Sequence, residues 1–345
     1  MRIDDATVSD RARLAAGEQL FSIPGPLPGG RLFLRFLQAS TQRDVAAKAV
    51  LYIHGATFPS GLSIAYRFGG RSWRDALCDE GFDVWALDFH GFGHSTPFPE
   101  MLEPAEAHGP LGTAGAAAEQ IAAAVDFILH HAQIEKVSII AHSWGTMPTG
   151  IFAGNHPERI DRLVFFAPIT WREPASDLHP MPAAAWRLIS LADQWTRFQE
   201  DLPPREQPVL TRAEFDAWGQ DYLDSDPDSR VRQPPAVKVP SGPAVEIQRA
   251  WRGELAYDPG RIVAPVAIIR GAWDRSVTDT DARWLFDALT GCPILRGITI
   301  ARGTHLLHLE QMRGTLWRES ATFLRGEERT LQDSSPHPIT SLHCE

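Results

Sequence analysis

A chain of 345 residues is long enough for one large domain or two small ones and can bury a sizeable core. Hydrophobic residues make up 43% and charged residues 22%, the proportions of an ordinary soluble globular enzyme. The 33 basic residues against 43 acidic ones leave a net charge of −10, which argues against non-specific binding to nucleic acid or to an anionic membrane surface. No apolar run approaches the ~20 residues of a membrane span, and the first residues do not read as a secretory signal. Cys78, Cys292 and Cys344 are odd in number and far apart, which suggests neither a disulfide framework nor a zinc site. The expectation is a reduced, cytoplasmic protein acting on a small molecule, without a metal or other cofactor. The sequence sets no oligomeric state.

Residues 1–30 are polar, then rich in Gly and Pro, and read as an N-terminal extension. Residues 31–38 read as an early strand and 45–48 as a turn. Residues 49–53 form an apolar strand that runs into His54-Gly55-Ala56-Thr57. A helix over 73–80 stops at Gly81, and a buried strand over 82–87 leads into Asp88-Phe89-His90-Gly91-Phe92-Gly93-His94-Ser95. A dinucleotide-binding loop is the competing reading of that stretch, but a third glycine is missing and Pro97 and Pro99 follow where a helix would be needed. Residues 113–132 read as a long helix with Thr113 as N-cap and Ile121, Val125, Ile128 and Leu129 at helical spacing.

Next comes the apolar run Val137-Ser138-Ile139-Ile140, followed by Ala141-His142-Ser143-Trp144-Gly145 and a helical segment that ends before Pro157. A strand, an abrupt turn with Ser at its apex and a helix form a nucleophile elbow: the turn lifts the Ser143 hydroxyl out of the sheet, and small residues at 141 and 145 let the two backbones pass closely. A strand over 160–167 follows. The alternation predicts an α/β fold with a doubly wound, mostly parallel sheet.

The alternation stops over residues 168–261, which carry apparent helices around 183–198, 212–223 and 244–255, many prolines, and five of the eleven tryptophans. This is far longer than a usual connection of about 2–6 residues. It reads as an inserted helical cap whose aromatics form an apolar ceiling. Trp171, Trp186 and Trp195 are the candidates to contact substrate, with Thr57 from below; Trp218 and Trp251 complete the set. Strands resume at 263–270, ending in Gly271-Ala272-Trp273-Asp274, and at 295–301, followed by Gly303-Thr304-His305. Helices over 279–290 and 310–324 and a polar tail over 326–345 complete the chain.

With the elbow, Asp274 and His305 in this chain order, the sequence resembles the serine α/β-hydrolases over roughly residues 30–325. Ala141 stands where that family's pentad usually has Gly. The resemblance implies a hydrolase core over 31–167 and 262–325 and a cap over 168–261. It implies Ser143 as nucleophile, His305 as base and Asp274 as the carboxylate that orients it, with Asp279 and His308 the nearest rivals. The backbone N–H groups of Ala56 and Trp144 would form the oxyanion hole. Trp144 after the nucleophile is similar to the proline iminopeptidase branch, which usually carries His-Gly-Gly-Pro-Gly where this chain has His-Gly-Ala-Thr. The implied activity is hydrolysis of a small hydrophobic or aromatic carboxylic ester or amide through an acyl-enzyme. Acyl transfer and C–C bond hydrolysis would use the same triad, and a catalytically silent ligand-binding protein is the alternative of another class.

Overall fold

The computed structural model describes residues 15–40, 48–174, 181 and 183–326. In chain order the described strands are β1 (Gln19–Pro24), β2 (Arg31–Leu37), β3 (Lys48–Ile53), β4 (Phe82–Asp88), β5 (Val137–His142), β6 (Ile160–Phe166), β7 (Trp186–Ser190), β8 (Ala236–Pro240), β9 (Val266–Gly271) and β10 (Leu295–Ile300). All but β7 and β8 form one sheet in the order β1-β2-β4-β3-β5-β6-β9-β10, parallel from β4 to β10. The helices are α1 (Trp73–Asp79), α2 (Ala114–Ala132), α3 (Thr146–Asn155), α4 (Leu191–Gln199), α5 (Arg212–Asp224), α6 (Gly242–Ala250), α7 (Asp279–Ala288) and α8 (Arg313–Arg325).

The near-continuous apolar runs of the central strands follow from burial on both faces. Val50 and Tyr52, Val84 and Ala86, and Val164 and Phe166 pack with α1 and α8 on one face. Their neighbours Leu51, Trp85 and Phe165 pack with α2 and α3 on the other. Period-two alternation therefore sorts one apolar run into two cores.

Two local readings differ from the structure. Residues 19–24, inside the stretch expected to be an extension, form β1 and pair antiparallel with β2. Leu20, Phe21 and Ile23 are buried there, and Glu18 just before them accepts from Arg35 Nη1 at 2.9 Å and from Arg74 Nη1 at 2.6 Å. Burial alone would raise the Glu18 pKa; the two guanidiniums outweigh it and hold the carboxyl at about 2. The helix expected around 183–198 is instead β7 followed by α4. Ser190 caps α4 in a reciprocal capping box with Asp193, and the preceding five residues pair antiparallel with β8. The expected turn at 45–48, apart from Lys48, and the tail beyond Gly326, with Cys344, lie outside the described residues. Among the described residues no helix is long and apolar enough to cross a membrane.

Candidate active site

After β4 the chain crosses back over β3 to form β5, so the carboxyl ends of β3 and β5 meet at a topological switch point, with Ile53 opposite Ala141. Ser143 follows β5 with φ of 55°, in the left-handed region that costs a non-glycine residue about 1–3 kcal/mol. The turn persists because its surroundings determine it. A Cβ on Gly145 would sit 2.4 Å from the His54 carbonyl oxygen, so only glycine allows the elbow to close against the β3 loop. Thr146 Oγ1 donates to the Ser143 carbonyl at 2.6 Å and ties the turn to the start of α3.

Asp274 and His305 come from the loops after β9 and β10, which touch at Gly271: a Cβ there would lie 2.1 Å from the Gly303 carbonyl oxygen. Trp273 N–H donates to that same carbonyl at 2.9 Å. The result is a hydrogen-bonded line. Asp274 Oδ1 accepts from the backbone N–H groups of Ser276 and Val277, each at 2.9 Å. Asp274 Oδ2 faces His305 Nδ1 at 2.9 Å, and His305 Nε2 faces Ser143 Oγ at 2.8 Å. A carboxylate can only accept, so Nδ1 carries the proton and Nε2 is left to accept from the serine hydroxyl. The three side chains are almost wholly buried.

Neither rival meets Ser143. Asp279 pairs with Arg270 and its side chain is 89% exposed. His308 is buried with both ring nitrogens unpartnered, and burial pushes it down to about 3. It packs at a tilt against His142, whose centroid lies 4.5 Å away, while His142 Nε2 donates to the His305 carbonyl at 3.1 Å. Burial likewise lowers the His142 pKa, so both rings are neutral packing around His305.

His54 fixes the loop on the other side. Its Nε2 accepts from Phe89 N–H at 3.1 Å and its Nδ1 donates to the Gly55 carbonyl at 2.7 Å, so burial keeps it neutral. Ala56 and Thr57 follow, and both line a cavity of about 340 Å³ that also contains Ser143 and His305. One part of its wall is apolar, with Phe58, Ile169, Ile189, Ile247 and Trp251. Another part carries Arg187, Asp193, Gln194, Arg197 and Glu200.

The tryptophans expected over the substrate are placed elsewhere, apart from Trp251. Trp171 stacks on Trp284 of α7 with centroids 5.7 Å apart. Trp186 lies under Lys238 and donates to the Glu103 carbonyl at 3.0 Å. Trp195 packs on Phe215 at 4.8 Å, with Arg212 over its ring. Each already has a partner outside the cavity. Trp218 is fully buried between Phe198 of α4, Phe215 and Tyr222 of α5, and Phe58 of the loop after β3.

Trp144 turns its indole away from the cavity and donates to Glu246 Oε2 of α6 at 2.9 Å; the same oxygen accepts from Ala114 N–H at 2.7 Å. Asp201 Oδ2, just after α4, accepts from His305 N–H at 3.2 Å. Burial raises the pKa of both Glu246 and Asp201. Arg187, Gln194, Asp201 and Glu246 were not expected at the site. They sit in a stretch without strand–helix rhythm, and no motif marks them. Among the described residues no group of three or more His, Cys, Asp or Glu side chains is arranged to hold a metal ion.

A family model described as alpha/beta hydrolase fold matches residues 48–311. No curated protein sequence matches the chain. Solved structures with the same fold include a thermophilic esterase from Thermogutta terrifontis, 18% identical, covering 89% of this chain and 98% of its own, with a TM-score of 0.55. A meta-cleavage product hydrolase from Pseudomonas fluorescens is 16% identical over 89% of this chain and 98% of its own, with a TM-score of 0.58. An epoxide hydrolase from Vigna radiata is 14% identical over 90% of this chain and 100% of its own, also with a TM-score of 0.58.

Proposed function

Because the chain belongs to the α/β-hydrolase family, we propose that it is a serine hydrolase that cleaves a small carboxylic ester or amide through an acyl-enzyme. The observation that carries this reading is the line from Asp274 through His305 to Ser143 Oγ, ending in a cavity large enough for a small molecule. A serine hydroxyl becomes an effective nucleophile when a base removes its proton as it attacks. In the proposed sequence Ser143 Oγ bonds to the substrate carbonyl carbon while His305 Nε2 takes the hydroxyl proton. The carbonyl oxygen becomes an oxyanion, held by the backbone N–H groups of Ala56 and Trp144. Asp274 stabilises the imidazolium and keeps its orientation. His305 then gives the proton to the departing alcohol or amine as the bond to it breaks. Water, activated by the same ring, releases the acid and restores Ser143. The apolar wall suits a hydrophobic or aromatic group on one side of the scissile bond.

The test is covalent labelling together with turnover. A fluorophosphonate should attach stoichiometrically to Ser143, because the adduct resembles the tetrahedral intermediate. Short-chain 4-nitrophenyl esters should be hydrolysed, and both signals should vanish in Ser143→Ala. An adduct on another serine, or ligand binding without turnover across a panel of esters, amides and acyl donors, would reject the reading. Running that panel with and without alternative acceptors separates hydrolysis from acyl transfer.

A further inference from the structure

Arg187 is the unusual member of the cavity wall. It projects from β7 into the space it shares with Ser143 and His305, and its side chain makes no hydrogen bond or ion pair with any described residue. The residue stays exposed, and its pKa is lowered by partial burial first and then by repulsion from Arg197. The nearby carboxylates are engaged. Asp193 Oδ2 accepts from Ser190 N–H at 2.8 Å and from Ser190 Oγ at 2.7 Å, and attracts Arg187 only from beyond ion-pair distance. Glu200 is paired with Arg197. Beside Arg187, Gln194 is 1% exposed and lines the same cavity, with its amide against the Tyr222 hydroxyl. A guanidinium that lines the cavity beside Ser143 and has no acceptor among the described residues is free to take one from a ligand. Its planar fork offers parallel donors to a small anion.

We propose that the substrate of Ser143 carries a carboxylate remote from its scissile bond, bound by Arg187. This rests on the serine-hydrolase reading for its placement in the substrate, though the anion site itself does not. A monoanion fits better than a phosphate dianion: Arg197 is committed to Glu200, Asp193 lies on the same wall, and Arg187 is the uncommitted cation there. The substrate would have an apolar body against Ile169, Ile247 and Trp251 and one acidic end.

Two esters of equal chain length test this, mono-4-nitrophenyl adipate and 4-nitrophenyl hexanoate. The enzyme should prefer the half-ester in kcat/KM. Arg187→Gln should reduce kcat/KM for the half-ester about 10- to 100-fold more than for the neutral ester, the range expected on losing a charge-assisted hydrogen-bond pair. Arg187→Lys, which keeps the charge and loses the fork, should fall between. Equal losses on both esters, or no preference in the parent enzyme, would overturn the proposal while leaving hydrolysis intact. A second measurement is independent of turnover: calorimetric binding of adipate to Ser143→Ala should weaken by a similar factor when Arg187→Gln is added. Adipate binding that depends on Arg187, in a protein whose Ser143 resists fluorophosphonate, would support the anion site and reject the hydrolase reading. Adipate that fails to bind, or binds equally to both proteins, overturns the anion site.

Discussion

Ser143 and Trp218 are both buried, yet they are held in different ways. Ser143 is placed by backbone: a left-handed φ, a glycine that closes the turn on the β3 loop, and the register of β5 against β3. Asp274 and His305 depend in the same way on the close approach of Gly271 and Gly303. Trp218 is placed by side chains, with four aromatic neighbours and one hydrogen bond to the Leu62 carbonyl at 3.1 Å. Backbone placement is indifferent to most side chains nearby, whereas packing placement depends on every partner. The turn at Ser143 should therefore fail chemically before it fails structurally, and the packing around Trp218 the other way round.

The largest effect expected from this contrast is in the elbow. Ser143→Ala and His305→Ala should each reduce turnover by ~10⁴-fold or more, and the double variant should be little worse, since the groups act as a unit. Thermal unfolding of each should change little. A large loss of stability in Ser143→Ala would break the distinction.

The opposite pattern is expected for Trp218→Ala, which should destabilise the protein by about 3–5 kcal/mol in denaturant unfolding, as for other large-to-small core changes. Where the variant still folds, the labelling rate of Ser143 should stay near that of the parent. A labelling rate that falls in step with stability would mean the cap also sets the elbow.

A third test sharpens the core side through Glu310, which is fully buried and accepts from Thr304 N–H at 3.0 Å and from Thr304 Oγ1 beside His305. Burial raises its pKa to about 7 from an ordinary value of 4.5. The folded protein therefore holds the proton more tightly than the unfolded chain. The stabilising contribution is fully present below pH about 4.5 and is lost as pH rises through about 7. The difference in unfolding free energy between the parent and Glu310→Gln should thus shift by about 3 kcal/mol against the parent across that window. A difference that stays flat with pH would show that Glu310 titrates normally. His308, held neutral by burial at about 3, acts with the opposite sign: its stabilisation is lost as pH falls below the ordinary 6.5.

The smallest effect belongs to Trp251, the cap tryptophan that lines the cavity. Trp251→Ala should change the preference among acyl groups by about 10-fold, the scale of a lost apolar contact in a specificity pocket. Trp195→Ala should leave preference unchanged. If both behave alike in kcat/KM ratios across an ester series, the cavity wall does not sort substrates by its cap aromatic.

The same contrast explains which features are legible in the sequence. The elbow announces itself because its turn demands small residues at fixed offsets around Ser143, and strands β3 to β6 because burial on both faces leaves them few polar residues. The order Ser143, Asp274, His305 follows from loops after successive strands. Strand β1 escaped notice because six residues among Gly and Pro carry little periodicity, and its docking rests on Glu18 meeting Arg35 and Arg74 across the fold. The cap tryptophans were misplaced because bulk and apolarity say that a side chain will be covered, not by what. Trp171 and Trp186 found Trp284 and Lys238, partners 113 and 52 positions along the chain. Arg187 carries no signal, since an unpaired donor is recognisable only once its neighbours are known.

Glu246 has a consequence for modularity in the segment between β6 and β9. One carboxylate oxygen of α6 receives both the first N–H of α2 and the indole N–H of the residue after Ser143. Exchanging residues 168–261 as a cassette with a relative that lacks this acid would orphan two buried donors, at about 1–3 kcal/mol each. It would do so at the base of the nucleophile turn, not at the rim. The transplantable unit is therefore wider than the insertion. It includes Trp144 and the start of α2, and a chimera drawn at the insertion's own borders would cut through a single shared hydrogen-bonding centre.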